Sequence, residues 1–253
     1  MNAVRASASG YVEDYDYGIV LSSDTEWKAV LGLSAGQGSA DIDFSKFAET
    51  AAWSEASPWA TAELQKASDL GLIPDILIGA DMRKPITRLE FAAISVKVYE
   101  NLGNTKVQPV TDNPFTDCND TEVLKAYHLG VTNGTSATTF SPNQVLNREQ
   151  AATMLTRVYK SVSMEGWTLK TDNQFPLKYD KPAPFADDEL ISSWAKDSVY
   201  FMNANKIING VGENKFAPKN TTSAEEATFY ANATREQALL IAARMVGNLK
   251  NAN

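Results

Sequence analysis

Three copies of one helix pattern constrain this chain more than any other feature. The segments ITRLEFAAISVKVYENL, LNREQAATMLTRVYKSV and ATREQALLIAARMVGNL align on Arg88, Arg148 and Arg235. Apolar residues recur three and four positions apart at matching places after each arginine, which is the spacing of one helical face. The sequence therefore predicts three equivalent amphipathic helices that belong to a repeat protein.

The first turn of each predicted helix has the same composition. Thr87, Asn147 and Thr234 stand at the N-cap position, and a Glu or Gln follows three residues later. In such a capping box the cap side chain accepts from a free backbone N–H, while the Glu or Gln accepts from the N–H of the cap residue. Capping does not explain the arginine between them, because a cation at a helix start opposes the helix dipole. We interpret the three arginines as residues that serve a partner, with ion pairing between repeats as the alternative.

A second, shorter helix is predicted before each capped helix, over residues 59–70, about 121–129 and 194–205. The loops between the two helices contain turn glycines, and a proline precedes each second helix. An aromatic residue followed two positions later by a carboxylate precedes each first helix. Each copy is therefore helix, loop, helix, and the repeats span about 53–103, 114–163 and 184–250.

At these residues the sequence resembles the S-layer homology repeat. The family pattern runs from Phe-x-Asp through Trp-Ala and a Gly-rich turn with Phe-x-Pro to Thr-Arg-x-Glu or Thr-Arg-x-Gln. The third copy matches best, at Phe185, Asp187, Trp194, Ala195, Gly210, Gly212, Phe216, Pro218, Thr234, Arg235 and Gln237. The resemblance implies an all-α fold, in which three helix-loop-helix repeats pack as a pseudo-threefold bundle with grooves between neighbouring repeats.

The resemblance also implies a function. Modules of this family attach exported bacterial proteins non-covalently to secondary cell-wall polymer, a peptidoglycan-linked glycan, often through a pyruvate ketal on an amino sugar. We therefore expect a non-catalytic, extracellular module at the cell wall. A guanidinium fork suits the planar pyruvate carboxylate. The ligand-binding residues that the resemblance implies are Arg88, Arg148, Arg235, Asp117, Asp187, Glu55, Trp59, Trp194, Gly134, Gly210 and Gly212.

Structural roles remain open for most of these residues. The two tryptophans equally suit core anchors, the two aspartates equally suit caps of the following segment, and the glycines suit turn geometry. Copy one has Trp-Ser-Glu in place of Phe-x-Asp and lacks a Gly-x-Gly turn, and copy two has Thr121 at the tryptophan position. We therefore expect fewer than three working grooves, and we expect Arg235 to contribute more than Arg88.

Composition and motifs argue against other classes of protein. The net charge of −8 offers no positive field for nucleic acid or an anionic membrane surface. No apolar run approaches the roughly 20 residues that span a bilayer, so we expect no membrane insertion. Cys118 is the only cysteine and His128 the only histidine, and no nucleophile, phosphate-loop or dinucleotide motif is present. We expect no catalysis, no cofactor and no metal.

Segments outside the aligned helices carry weaker signals. Residues 1–50 are interpreted as an N-terminal extension or the end of a preceding domain, with a short β or irregular segment. Residues 103–113 and 163–183 are predicted to be exposed linkers. Copy three has an insertion of about eleven residues near 223–233, which begins with the predicted capping box Ser223 to Glu226.

Two alternative functions keep the same fold. A protein-binding scaffold module would contact other surface proteins, which the divergence of the first two copies favours. A carbohydrate-binding module would recognise neutral sugars.

Overall fold

The computed structural model describes residues 52–249, and the predicted N-terminal extension lies outside them. Within that range the chain forms seven α-helices and a two-stranded parallel sheet, so the mostly helical fold is confirmed. The elements are β1 (Trp53–Glu55), α1 (Thr61–Asp69), β2 (Ala80–Asp81), α2 (Arg88–Gly103), α3 (Thr121–His128), α4 (Arg148–Ser163), α5 (Lys196–Ala204), α6 (Ser223–Thr228) and α7 (Arg235–Leu249). Between residues 52 and 249, none of the helices combines the length and the apolar character needed to cross a membrane.

The three long helices begin where their capping boxes predict. Thr87 Oγ1 accepts from the Glu90 backbone N–H at 3.3 Å, and the Thr87 N–H donates to the Glu90 carboxylate at 3.0 Å. The pairs Asn147 with Gln150 and Thr234 with Gln237 make the same two hydrogen bonds. Each box places its arginine at the first helical position, so the three arginines occupy equivalent positions in their helices.

The repeats pack as a closed ring. Each short helix packs against the long helix of the preceding repeat: α3 against α2, α5 against α4, and α1 of the first repeat against α7 of the third. Helix α2 also packs against α4 and α7 at the centre. Fully buried apolar side chains fill the space between them, including Leu64, Phe91, Ile94, Phe140 and Phe216. Because each interface joins two repeats, no repeat can bury its apolar face alone.

The start of each repeat is tied to its own loop. In the first repeat β1 pairs in parallel with β2, Trp53 lying opposite Ala80. In the other two repeats single backbone hydrogen bonds occupy the same place, from Thr116 N to Thr138 O at 2.8 Å and from Ala186 N to Asn214 O at 2.7 Å. This tie brings the aromatic–carboxylate motif of each repeat next to the loop that precedes its long helix.

The linker between the second and third repeats is anchored, which corrects the prediction of a simply exposed segment. The Trp167 ring is buried, and its Nε1 donates to Asp172 at 2.7 Å. The same carboxylate accepts from Lys160 Nζ of α4 at 2.7 Å. One indole ring thus holds an otherwise polar stretch on the bundle. The polar composition of the stretch gave no indication that Trp167 would be buried.

The insertion in the third repeat lies on the surface. Helix α6 has no buried residue, and its N-cap is Thr222, whose Oγ1 accepts from Glu225 N at 3.2 Å. The predicted box at Ser223 is therefore wrong by one residue. In copy two a single residue, Asn143, separates Pro142 from Gln144, whereas the third copy carries eleven more at this place.

Candidate functional site

Two grooves of matching composition lie between the repeats. The Arg88 groove, of about 210 Å³, is lined by Arg88, Thr132, Asn133, Gly134, Gln150, Thr153, Met154, Arg157 and Trp194. The Arg148 groove, of about 270 Å³, is lined by Arg148, Ile208, Asn209, Gly210, Val211, Gln237, Leu240, Ile241, Arg244 and Trp59. Each groove takes its first arginine from one repeat, its loop and helix from the next, and its tryptophan from the remaining one. A complete groove therefore requires all three repeats.

Arg88 and Arg148 bind the loop of the following repeat in the same way. Arg88 donates from Nε to Phe140 O at 3.0 Å and from Nη2 to Asn133 O at 2.9 Å. Arg148 donates to the equivalent carbonyls, Phe216 O at 2.9 Å and Asn209 O at 2.6 Å. Burial lowers the pKa of both guanidinium groups, that of Arg148 to about 10. Both remain cationic at neutral pH.

Each of these two guanidinium groups keeps one nitrogen available. Nη1 makes no hydrogen bond to the described residues in Arg88 or in Arg148, and neither Nη1 is buried. The guanidinium carbons lie over aromatic rings, 4.9 Å from the Phe140 centroid and 5.1 Å from the Phe216 centroid. The rings and the carbonyls fix the orientation of each guanidinium, so its free N–H groups are preorganised for a ligand.

Arg235 has a different environment. Its Nε and Nη2 donate to the two carboxylate oxygens of Glu90 at 3.2 and 2.6 Å, and its Nη1 donates to Asp81 O at 3.0 Å. Glu90 is the counterpart of Gln150 and Gln237, which face Arg88 and Arg148 in the two grooves. The carboxylate of Glu90 thus fills the fork in which a ligand carboxylate would bind. The arginine that the sequence match favoured most is already ion-paired.

The cleft equivalent to the two grooves lies between the third and first repeats, and its lining differs from theirs in charge and in residue type. It has a volume of about 230 Å³ and is lined by Pro74, Asp75, Ile76, Leu89, Ala93, Lys97, Asp120, Thr121 and Glu122. Pro74 and Asp75 replace the pairs Asn133-Gly134 and Asn209-Gly210 of the other two grooves, and the described lining of this cleft contains no tryptophan. Three carboxylates and a single lysine make this cleft unsuitable for an anion.

The second arginine of each groove was missed by the sequence interpretation. Arg157 and Arg244 lie nine residues after Arg148 and Arg235 in the aligned helices. Burial lowers the pKa of Arg157. The aligned sequences do indicate this position, because Lys97 lies nine residues after Arg88 and all three copies therefore have a basic residue there. Each groove therefore holds two arginines from neighbouring repeats, one on either side.

Exposure decides between the two roles that the sequence left open for the tryptophans. Trp59 and Trp194 are 56% and 57% exposed, so neither is a core anchor. Each stands at the start of a short helix and lines a groove built by the other two repeats. An indole face in this position is available for stacking.

The two aspartates support the loops beneath the arginines. Asp117 accepts from Phe140 N at 2.7 Å and Ser141 N at 2.8 Å, and Asp187 accepts from Phe216 N and Ala217 N at the same distances. These hydrogen bonds lower the pKa of the Asp117 carboxyl. They hold Ser141 and Ala217 at φ values of 59° and 54°, in the left-handed region that side chains disfavour.

Glu55, the corresponding residue of the first repeat, acts through its backbone. Its carbonyl accepts from Met82 N at 2.8 Å, while its exposed carboxylate lies 3.6 Å from Arg83. The structure therefore places the Glu55 side chain outside both grooves.

The predicted glycines serve turn geometry, and two of them also line the grooves. A Cβ on Gly134 would lie 2.4 Å from the carbonyl oxygens of Ser136 and Thr139, and one on Gly210 would lie 2.5 Å from Lys215 O. Gly212 has a φ of 119° in the adjoining turn. Only glycine permits this close approach of backbone to backbone.

A family model supports the interpretation of these repeats. The model described as S-layer homology domain matches residues 118–152 and 184–228, which cover parts of the second and third repeats. These two regions, about a third of the chain, are similar to S-layer homology domains. S-layer homology domains typically anchor proteins to cell-wall polymers at the cell surface, and the domain itself is non-catalytic.

Several enzymes contain a segment similar to these S-layer homology repeats. An amylopullulanase of Thermoanaerobacterium thermosulfurigenes is 30% identical over 147 residues, which is 57% of this chain and 7% of the relative. The exoglucanase XynX of Acetivibrio thermocellus is 30% identical over 146 residues (57% and 12%), and an endoglucanase of Bacillus sp. strain KSM-635 is 27% identical over 145 (56% and 14%). The chain thus matches between 7% and 14% of the length of these relatives.

Proposed function

We propose that this S-layer homology module anchors the protein that carries it by binding anionic secondary cell-wall glycan in the Arg88 and Arg148 grooves. One observation carries the proposal. Two equivalent grooves each contain two arginines and an exposed tryptophan, and no carboxylate of residues 52–249 lines either groove. This combination is suited to a sugar that bears a negative charge, such as an amino sugar with a pyruvate ketal.

The chemistry of each groove supports this ligand. The free Nη1 of Arg88 or Arg148 and the guanidinium of Arg157 or Arg244 can donate to one carboxylate from two sides. The exposed tryptophan offers an apolar face to the sugar ring. Because the protein carries a net charge of −8, long-range attraction to an anionic polymer is absent, and binding depends on these short-range contacts.

The two grooves can act together on one polymer. A repeating glycan offers many copies of the ligand, and engagement of a second site raises the apparent affinity by about 10²- to 10⁴-fold where the geometry permits. We therefore expect removal of either arginine to lower wall binding strongly. We expect Arg235→Ala to lower it least, which reverses the order expected from the sequence match.

The experiment measures binding of the purified protein to isolated cell walls. Arg148→Lys keeps the charge and loses the planar fork, so wall binding should fall at least about tenfold. Arg83→Lys, which changes an exposed arginine outside the grooves in the same way, is the matched control. Mild acid, which removes pyruvate ketals, should abolish binding of the unaltered protein.

Salt dependence separates this mechanism from ion exchange. Screening relieves the repulsion between the acidic protein and the polymer, so binding should stay level or rise slightly with salt. Steep loss of binding with salt, together with an unaffected Arg148→Lys variant, would rule out the grooves as the binding sites. Unchanged binding after acid treatment would instead indicate recognition of neutral sugars.

A further inference from the structure

We infer that the insertion in the third repeat adds an aromatic sugar subsite to the Arg148 groove, formed by Phe229 and Tyr230. The inference rests on the proposed function and extends it to a longer stretch of the same glycan. Neither of the other repeats has a counterpart of this segment, because copy two has one residue at the place where copy three has twelve.

The insertion presents two aromatic rings to solvent. Phe229 and Tyr230 are 49% and 44% exposed, and helix α6 before them contributes no residue to the core. Phe229 also has a φ of 54°, a left-handed conformation that is uncommon for an aromatic residue and that glycine would adopt without strain. Core packing therefore explains neither ring.

The segment is held firmly. Asn220 accepts from Ala231 N at 2.8 Å and donates to the Asn232 side chain at 2.9 Å, which closes the two ends of the insertion. Thr222 and Glu225 cap α6. Ala231 O then accepts from the backbone N–H of Arg148 at 3.0 Å. The aromatic pair is thereby fixed next to the residue that opens α4 and lines the groove.

The contacts around Tyr230 continue the surface of the Arg148 groove. Tyr230 directly precedes Ala231, whose carbonyl accepts from the backbone of the groove residue Arg148. Lys215 O accepts from the N–H of Val211 at 2.8 Å, and Val211 is an exposed residue of the groove lining. The proposed path of a longer glycan runs from the groove past Val211 and Lys215 toward the two rings. Exposed aromatic faces next to a cationic sugar site suit the apolar faces of the adjoining sugar residues.

The test compares two probes, a pyruvylated amino-sugar methyl glycoside and a pyruvylated wall oligosaccharide of three repeating units. Calorimetry measures their binding to the unaltered chain and to Phe229→Gly/Tyr230→Ala. Glycine at 229 removes the ring and the unfavourable φ together, so this variant should unfold at no lower temperature. We expect the affinity for the oligosaccharide to fall about tenfold and the affinity for the monosaccharide to stay the same. Ile78→Ala, which removes an exposed apolar side chain in the first repeat, is the matched control.

Each outcome is decisive. Loss of oligosaccharide affinity alone supports the subsite. Equal losses for both probes would show that the rings shape the groove itself, and no loss would show that they do not touch the glycan; either result overturns the subsite and leaves the proposed function standing. If the unaltered chain binds neither probe, the proposed function fails and the subsite fails with it.

Discussion

Two substitutions at equivalent helix positions, Glu90→Gln and Gln237→Glu, should move the arginine–carboxylate ion pair from Arg235 to Arg148. Glu90 pairs with Arg235, whereas Gln237 occupies the equivalent position beside Arg148. Gln237→Glu should therefore place a carboxylate beside the available Nη1 of Arg148. The change keeps the capping box, because Glu90 already caps Thr87 in the same geometry.

The magnitude follows from the existing pair. Glu90 and Arg235 are 8% and 20% exposed, and their shorter contact is 2.6 Å. Hydrogen bonds between charged groups contribute about 1.5–3 kcal/mol, and partial desolvation reduces this to about 1–2 kcal/mol. Gln237→Glu should therefore raise the free energy of unfolding by about 1–2 kcal/mol, or the melting temperature by roughly 2–8 °C. Glu90→Gln should lower it by a similar amount.

Urea unfolding measures the stability, and a cell-wall binding isotherm measures the function. Gln237→Glu should weaken wall binding at least about tenfold while it stabilises the fold, since its carboxylate occupies the place of the ligand. Gln174→Glu adds the same charge at an exposed position and is the control. A Gln237→Glu variant that binds as well as the unaltered protein and gains no stability would refute our account of the arginine forks.

Three further predictions concern the loops. Gly210→Ala should destabilise the fold by more than about 2 kcal/mol in urea unfolding, because its Cβ would meet Lys215 O. Gly247→Ala in α7 has space for a Cβ and should stabilise the fold by about 0.5–1 kcal/mol. Equal effects of the two substitutions would contradict the close approach at Gly210. Deletion of residues 220–230 restores the loop length of copy two and should leave the helical circular dichroism and a single unfolding transition intact, and loss of folding would show that the segment is structural. Because the pKa of Asp117 is lower in the folded state, its carboxylate stabilises the fold above its ordinary pKa near 4, and this contribution is lost as pH falls through the folded value. Asp117→Asn should therefore destabilise the protein at pH 7 and have less effect at pH 2–3, and an equal effect at both would exclude the charged form.

The local features of this fold could be predicted from the sequence because their causes are local. A capping box acts within one helical turn, and an apolar stripe is visible over four turns. The three long helices therefore begin at Arg88, Arg148 and Arg235, as their sequences indicate. The turn glycines could likewise be predicted, since the atoms that exclude a Cβ belong to the same loop. The burial of Trp167 could not, because it depends on a surface that the rest of the chain provides.

The grooves depend on residues that are far apart in the chain. Arg235 lies 145 positions from Glu90, and its pairing depends on how the ring closes between the third repeat and the first. The sequence shows which copy keeps the family residues, but each groove joins the arginine of one copy to the loop of the next and the tryptophan of a third. The third copy, which keeps the most family residues, therefore contributes Arg235 to the repeat junction where the carboxylate of Glu90 replaces the amide of Gln150 or Gln237. The sequence by itself determined the repeats, their helices and the residue types available for binding. Only the tertiary structure decided which of those residues meet, because electrostatic pairing depends on distance in space and not on position within a repeat.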